Sequence, residues 1–482
     1  MLAFQFAEGT KLITALEFGA FLLVCADAFN VLGGLIYPSG SYIFFFAVLD
    51  VGLGGVLKTF FGEPLDSNVT NAERSMLAYL VGACSLWVAA RFAVKMRAKR
   101  PWLAKLQLDS RVPQIAVGAA LVGQYGGMAV PYSVVSTFNQ VNFFLPLSVL
   151  ILAYARTKET DGARSFSILG FLIWAYTTLA WGVFAFSKQG MFLPAAVWAI
   201  GALVAGYRTS VKKLLVIVTV AFLAASVLTP VSQIGRIYRS DPNSTEVAWN
   251  LLTHPLETRR QYKEIQSGEA RSGKSFHWFN QVDGLLDRLT MFPIDDALMN
   301  VTDHGHQAGY EPIAARFYNV IPRYLLSGEK VTLHIGNTFG HEIGLLGKRD
   351  ESTGISFSPV GDVYHCLRWW GLVLMCPLLL VMFVFCDSLT GSTEQTIWAA
   401  LFIMLFTHAA PEGMIGTPFS AVSTYAAGVV LAALLSRYVL PYVGGFVWSP
   451  RPVQQTEPAV LPWQAGRPAG RPYVARTIES KI

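Results

Sequence analysis

Residues 367–386 read LRWWGLVLMCPLLLVMFVFC, and from Trp369 to Cys386 there is no charged side chain. About 20 mostly apolar residues, each rising 1.5 Å along a helix, cross the roughly 30 Å hydrocarbon core of a bilayer. This run therefore predicts a membrane-spanning helix. The chain just before it is of the opposite kind. From about Val231 to Cys366 it is hydrophilic and holds seven of the eight histidines (His254, His277, His304, His306, His334, His341 and His365) and about half of the 31 acids. A membrane protein that gathers its titratable groups into one water-facing segment is expected to work there, beside the bilayer surface.

Outward from this junction the same apolar pattern recurs. Ten more candidate spans fall at 12–30, 41–61, 75–94, 112–130, 134–155, 165–186, 190–207, 212–231, 395–410 and 419–440. Only 14% of residues are charged and the mean hydropathy is +0.43, against roughly a quarter charged in ordinary soluble domains. The expected fold is an all-α polytopic integral membrane protein of eleven or twelve transmembrane helices with one large extracytoplasmic insert. Its expected parts are an N-terminal bundle (1–231), a loop domain (232–366), closing helices (367–440) and a tail (441–482). The tail is rich in Pro, Gly and Arg and is expected to be disordered.

The net charge of +6 does not point to nucleic acid. The cations sit at the ends of apolar runs, where they act as topology signals. Lys95, Arg97, Lys99, Arg100, Lys105 and Arg111 follow the third span, Arg156, Lys158 and Arg164 the fifth, and Arg208, Lys212 and Lys213 the seventh. These odd-numbered exits agree, which places them in the cytoplasm and the insert on the other side. The same parity puts the N-terminus outside, unless a further short span hides within residues 1–61, where Tyr37-Pro38-Ser39-Gly40 breaks the pattern. Five cysteines without CxxC spacing support neither a zinc nor a redox site. Asp303-His304-Gly305-His306 and His341-Glu342 lack the HExxH spacing of a helical metal site. No metal and no cofactor are expected, and no Gly-rich phosphate loop is present.

The most concentrated signal runs from Arg316 to Gly371. It reads Arg316-Phe-Tyr-Asn-Val-Ile-Pro-Arg323-Tyr324, then Gly328-Glu329-Lys330, then Asn337-Thr-Phe-Gly340. Ser356-Phe-Ser358-Pro359-Val-Gly361-Asp362-Val-Tyr364 follows, and Gly371 enters the next span. This composite resembles the bacterial Wzy-type polymerases of O-antigen and exopolysaccharide repeat units. That family shows an Ile-Pro-Arg segment, a following Lys, a Ser/Pro stretch and a Gly-Asp/Glu-x-Tyr run leading into a helix with Gly. One departure is Cys366-Leu367-Arg368-Trp369-Trp370, where the family often has Asn-Phe-Gly.

The resemblance implies a metal-independent glycosyltransferase of the GT-C type in the bacterial inner membrane, with its large loop in the periplasm. Its substrate would be an oligosaccharide linked to polyprenyl pyrophosphate. Its surroundings would be membrane lipids, with a flippase and a chain-length regulator as candidate partners. A glycan would pass from its pyrophosphate lipid to the non-reducing sugar of a second lipid-linked unit. The residue chemistry agrees. A departing pyrophosphate develops negative charge, and arginine grips phosphate oxygens with a planar fork that stays charged. Arg323 is the lead candidate. Arg316, seven residues earlier, would share a helix face with it if the helix runs through, and Lys330 would add a point charge. The acceptor hydroxyl must lose a proton, and Asp362 is the lead acid. Its bland alternative is a helix N-cap for the ninth span. His365, Tyr364, Tyr324 and Asn337 are candidate substrate contacts; for both tyrosines the alternative is anchoring at the membrane interface, and for His365 packing there.

Three other classes compete. An O-antigen ligase shares the plan but carries a histidine where Phe357-Ser358 stands here. A transporter or flippase would show repeats, and none is visible. A non-catalytic scaffold for polysaccharide export is the third.

Overall fold

A computed structural model describes residues 2–108, 110–239, 241–270, 290–321, 334–346 and 353–448. Among these residues the chain is helical. In order the helices are α1 (Leu2–Ala7), α2 (Leu12–Leu32), α3 (Pro38–Ala47), α4 (Leu53–Phe61), α5 (Ala72–Met96), α6 (Val112–Ala129), α7 (Tyr132–Val141) and α8 (Phe144–Glu159). They continue as α9 (Ile168–Thr177), α10 (Lys188–Val204), α11 (Val211–Gly235), α12 (Ser244–Thr253), α13 (Pro255–Ala270), α14 (Phe292–Asp303), α15 (Glu311–Val320) and α16 (Ile335–Glu342). The last are α17 (Pro359–Leu367), α18 (Trp369–Thr390), α19 (Trp398–Glu412), α20 (Gly416–Ser420), α21 (Ala426–Tyr438) and α22 (Leu440–Val447).

Among the described residues seven helical stretches are long and apolar enough to cross a membrane: Leu12–Leu32, Pro38–Phe61, Ala72–Met96, Val134–Glu159, Val211–Gly235, Trp369–Thr390 and Gly416–Tyr438. The chain is a polytopic helical membrane protein. The other four expected spans fall on α6, α10, α19 and the stretch Ile168–Val183, which are shorter or less apolar. Their glycines explain part of this. Gly118 lies against the backbone of Leu440, Gly123 against Leu145 and Gly201 against Leu150, where a side chain would collide. Small residues of this kind let helices in a membrane approach closely, at the expense of apolar surface. Among the described residues three helices are interrupted by π turns, at Val48–Gly52, Thr178–Val183 and Ala421–Tyr425.

The direction of each helix fixes two ends of the bundle. Lys11, before α2, pairs with Glu73 at the start of α5. Arg97, after α5, donates to Leu32 O at the end of α2, so these two helices run parallel. Between them Pro38–Phe61 runs back, beginning at Ser39, whose amide and hydroxyl donate to Asp387 near the end of α18. Arg97 lies 3.4 Å from the same carboxylate, and Trp102 N donates to Ser388 O. The basic loop after α5 is thus clamped to the end of α18. α1 has six residues, and Gln5 donates to Thr59 and Glu63 O beside the end of α4. No extra crossing forms among the described residues before α2, and these residues lie at the end opposite the basic loop.

The hydrophilic segment divides into two kinds of structure. α12 and α13 pack on α11, with Ala248 joining Val183, Phe186, Met191 and Val231 in a small core. α14, α16 and α17 build a second core from Leu298, Phe339, Phe357 and Cys366. α17 does more: every residue from Pro359 to Cys366 is buried. It lies inside the bundle, against α5, α14 and α18.

Candidate active site

Ser358 starts the site. Its hydroxyl accepts from Val360 N and Gly361 N, at 3.1 and 3.2 Å, and so caps α17, with Pro359 in the first turn where no amide is needed. The expected alternative role for Asp362, as the cap of the ninth span, is therefore overturned. α17 is a helix of its own, and α18 begins after Arg368, whose backbone sits at φ +53°. The Arg368 guanidinium donates to Thr302 O at 3.1 Å and holds the bend.

The three polar side chains of α17, Asp362, Tyr364 and His365, turn in different directions. Asp362 meets α15: Arg316 donates from both terminal nitrogens, at 2.5 Å to Oδ2 and 2.8 Å to Oδ1. A third donor, Ile415 N, reaches Oδ2 at 2.9 Å. Arg316 is 9% and Asp362 0% exposed, so this is a buried bidentate pair. Removing one partner from such a pair leaves an uncompensated charge. The turn that brings Ile415 N into place contains Met414 at φ +53°, and the Met414 sulfur lies 2.9 Å from Arg316 Nη2. Phe357 pairs with Gly413 in an isolated parallel bridge, which fixes this turn beside α17.

His365, one turn on, is fully buried. Its Nδ1 lies 2.8 Å from Thr302 Oγ1 and its ring packs edge-on against Phe339. Its Nε2 lies 2.9 Å from Glu342 Oε2, but off the line of an aligned hydrogen bond. Tyr364 donates to Asp303 at 3.0 Å and packs against Trp369. Burial, then the Asp303 contact, pushes its phenol up to about 12. Asn337 donates to Thr353 O. The structure thus brings Arg316 and Asp362 together and gives His365, Tyr364 and Asn337 partners within the protein.

Arg323, Tyr324 and Lys330 lie outside the described residues. α15 ends at Val320, and Ile321 is extended, with ψ 125°. The residue before a proline is pushed out of the helical region, and Pro322 follows. The helix that carries Arg316 thus ends before Arg323, and the expected shared face lies outside the described residues.

Sequence reading missed the second carboxylate layer. Asp295, fully buried on α14, accepts from Ser358 N at 3.1 Å and from the Tyr79 hydroxyl, whose oxygen is 3.0 Å from Ser358 Oγ. Gly361 is required here, because a Cβ would stand 2.3 Å from Asp295 Oδ1. Burial pushes the Asp295 carboxyl up to about 7, against the Ser358 and Tyr79 hydrogen bonds that pull it down, with Asp362 adding to the rise. Next to it Asp296 takes Thr70 N, Asn71 N, Ser75 Oγ and Arg74. The signal was present as two adjacent acids, Asp295-Asp296, between apolar neighbours Ile294 and Ala297.

Arg316 also lines a cavity of about 430 Å³. Its other walls include Gln140 of α7, Asn319 of α15, and Thr417, Ser420, Thr424 and Tyr425 from the segment after α19. Tyr425 belongs to the π turn Ala421–Tyr425, and its ring is held edge-on by Phe143 at 6.0 Å. Hydroxyls, amides and one aromatic ring around a guanidinium suit a polyhydroxylated ligand. Comparison with protein-family models, with curated proteins and with solved structures returns no match.

Proposed function

We propose that this protein is a membrane glycosyltransferase that polymerises oligosaccharide repeat units carried on polyprenyl pyrophosphate. The observation that carries the reading is the buried Arg316–Asp362 pair in the wall of a hydroxyl-lined cavity. The cavity lies at the end of the bundle away from the cationic loops. The excess of Lys and Arg marks those loops as cytoplasmic, which favours an extracytoplasmic, periplasmic site of the kind a Wzy-type polymerase uses.

In this reaction a hydroxyl oxygen of the acceptor sugar attacks the anomeric carbon of the donor. The bond from that carbon to the pyrophosphate oxygen breaks, and the polyprenyl pyrophosphate leaves with the electron pair. The hydroxyl proton passes to a base or to solvent. Arg316 is charge-neutralised by Asp362, so the cavity suits a neutral saccharide better than a diphosphate. Its remaining N–H groups and the hydroxyls of Thr417, Ser420 and Thr424 are suited to sugar hydroxyls. Stabilising the leaving group then falls to Arg323 and Lys330. Both Asp362 oxygens are occupied by Arg316 and Ile415 N, so Asp362 acts as a positioning residue that orients the guanidinium.

The test is reconstitution in liposomes with a polyprenyl pyrophosphate-linked repeat unit, resolved on a gel. A ladder that disappears with Arg316→Lys or Arg323→Ala, at unchanged protein level, is the expected result. Lipid-linked material that crosses the bilayer unextended would instead make the protein a flippase and end this reading.

A further inference from the structure

We propose that the opposite end of the bundle holds a binding site for the headgroup of an anionic phospholipid. α8 follows directly on Phe143, which packs against the cavity residue Tyr425, and its 16 residues carry the chain about 24 Å away. There a second cavity, of about 600 Å³, opens between the loop before α9, the end of α10 and the first turns of α11.

Three cations line this cavity: Arg164, Lys212 and Lys213. Among the described residues none of the three has an ion-pair partner. The neighbouring acid, Asp161, is taken by Arg208 at 2.7 Å. Lys213 lies 5.4 Å from the Tyr207 ring, which orients it without neutralising it. α11, 25 residues long, starts at the same place, with Ser210 capping Lys213 N, and its positive dipole end adds to the field.

The other half of the wall is apolar. Phe166 stacks on Trp198 at 4.5 Å with an interplanar angle of 16°. Val216 and Ile217 continue the wall along α11, where Leu214, Leu215 and Val216 are at least half exposed. The buried Trp198 Nε1 has no hydrogen-bond partner among the described residues. A small soluble anion would use only the cations. A phospholipid uses both halves, its phosphate on Arg164, Lys212 and Lys213 and its acyl chain along α11. A choline headgroup would bring a fourth cation among three, so discrimination against phosphatidylcholine is built in. The site is independent of the reaction proposed at the other end.

The experiment is native mass spectrometry of the full chain in detergent, titrated with phosphatidylglycerol or phosphatidylcholine. Phosphatidylglycerol is expected to bind at least about tenfold more tightly, since each basic residue near an anionic headgroup contributes about fivefold. The triple variant Arg164→Gln, Lys212→Gln, Lys213→Gln should lose that preference. Lys95→Gln, Lys99→Gln, Arg100→Gln, on the other basic loop, should keep it. Equal affinity of the wild-type protein for the two lipids overturns the proposal whatever the variants do. So does an equal loss in both triple variants. Displacement of phosphatidylglycerol by millimolar inorganic phosphate would reduce the site to an ion-binding patch and also overturn it.

Discussion

The two ends of this bundle treat charge in opposite ways. Around α17 two ion pairs are buried and matched: Arg316 with Asp362 at 9% and 0% exposure, Arg74 with Asp296 at 11% and 1%. At the far end Arg208 and Asp161 pair while 73% and 90% exposed, and Arg164, Lys212 and Lys213 surround an open cavity. A charge withdrawn from water needs a partner with good geometry, whereas a charge left in water does not. The first end is therefore built to hold a geometry, and the second to attract a ligand from its surroundings. Asp387 is the exception that supports the rule. It is buried at the basic end, and there too it is matched, by Ser39 and Arg97.

The sharpest way to break this contrast is Arg316→Ala. It strands Asp362 and should cost about 3–5 kcal/mol of stability as well as polymer formation. The double variant Arg316→Met, Asp362→Leu removes both charges and should recover most of the thermal midpoint in detergent without recovering activity. If the single variant melts like the wild-type protein, the pair is not the buried anchor described.

Asp295→Asn probes the layer beneath. The Asp295 carboxyl is raised to about 7 in the fold, against about 3.9 in an unfolded chain. The folded state therefore holds the proton more tightly. This contribution is complete below about pH 4 and is lost as pH rises towards 7. Wild-type stability should fall across that window relative to the variant, by on the order of a few kcal/mol. A difference between the two midpoints that does not change from pH 4 to 7 would contradict it.

Gly361→Ala comes next. Its Cβ would stand 2.3 Å from Asp295 Oδ1, and overpacking of this kind costs about 1–3 kcal/mol. A thermal midpoint equal to wild type would show that α14 and α17 are farther apart than described. The smallest effect is expected at the far end. Arg208→Ala breaks an exposed pair worth at most about 1 kcal/mol, and a loss as large as that of Arg316→Ala would erase the distinction between the two ends.

Apolar run length made the spans legible, and loop charge suggested which ends lie together. Each of the eleven expected spans falls on helix, and seven of those helical stretches are long and apolar enough to cross a membrane. The basic loops after α5, α8 and α10 sit where helix direction requires. Ser358 and Pro359 carry recognisable start signals, yet Asp362 four residues later was open to two readings. Spacing alone could not choose between a helix cap and a charged partner, because that partner lies 46 residues away on α15. Pro322 left open whether one helix joins Arg316 to Arg323, and α15 ends before it, at Val320.

What the amino-acid sequence determined by itself is therefore the class: a helical chain for a bilayer, since apolar length and the position of cations are local quantities that need no knowledge of neighbours. What only the tertiary structure decided is which charges are withdrawn from water and with whom. Asp295 meets Tyr79 across more than 200 residues, and Asp362 takes Ile415 N from a turn shaped by Met414. Burial and hydrogen-bond geometry arise from packing between distant segments, and they turn ordinary acids and arginines into a site.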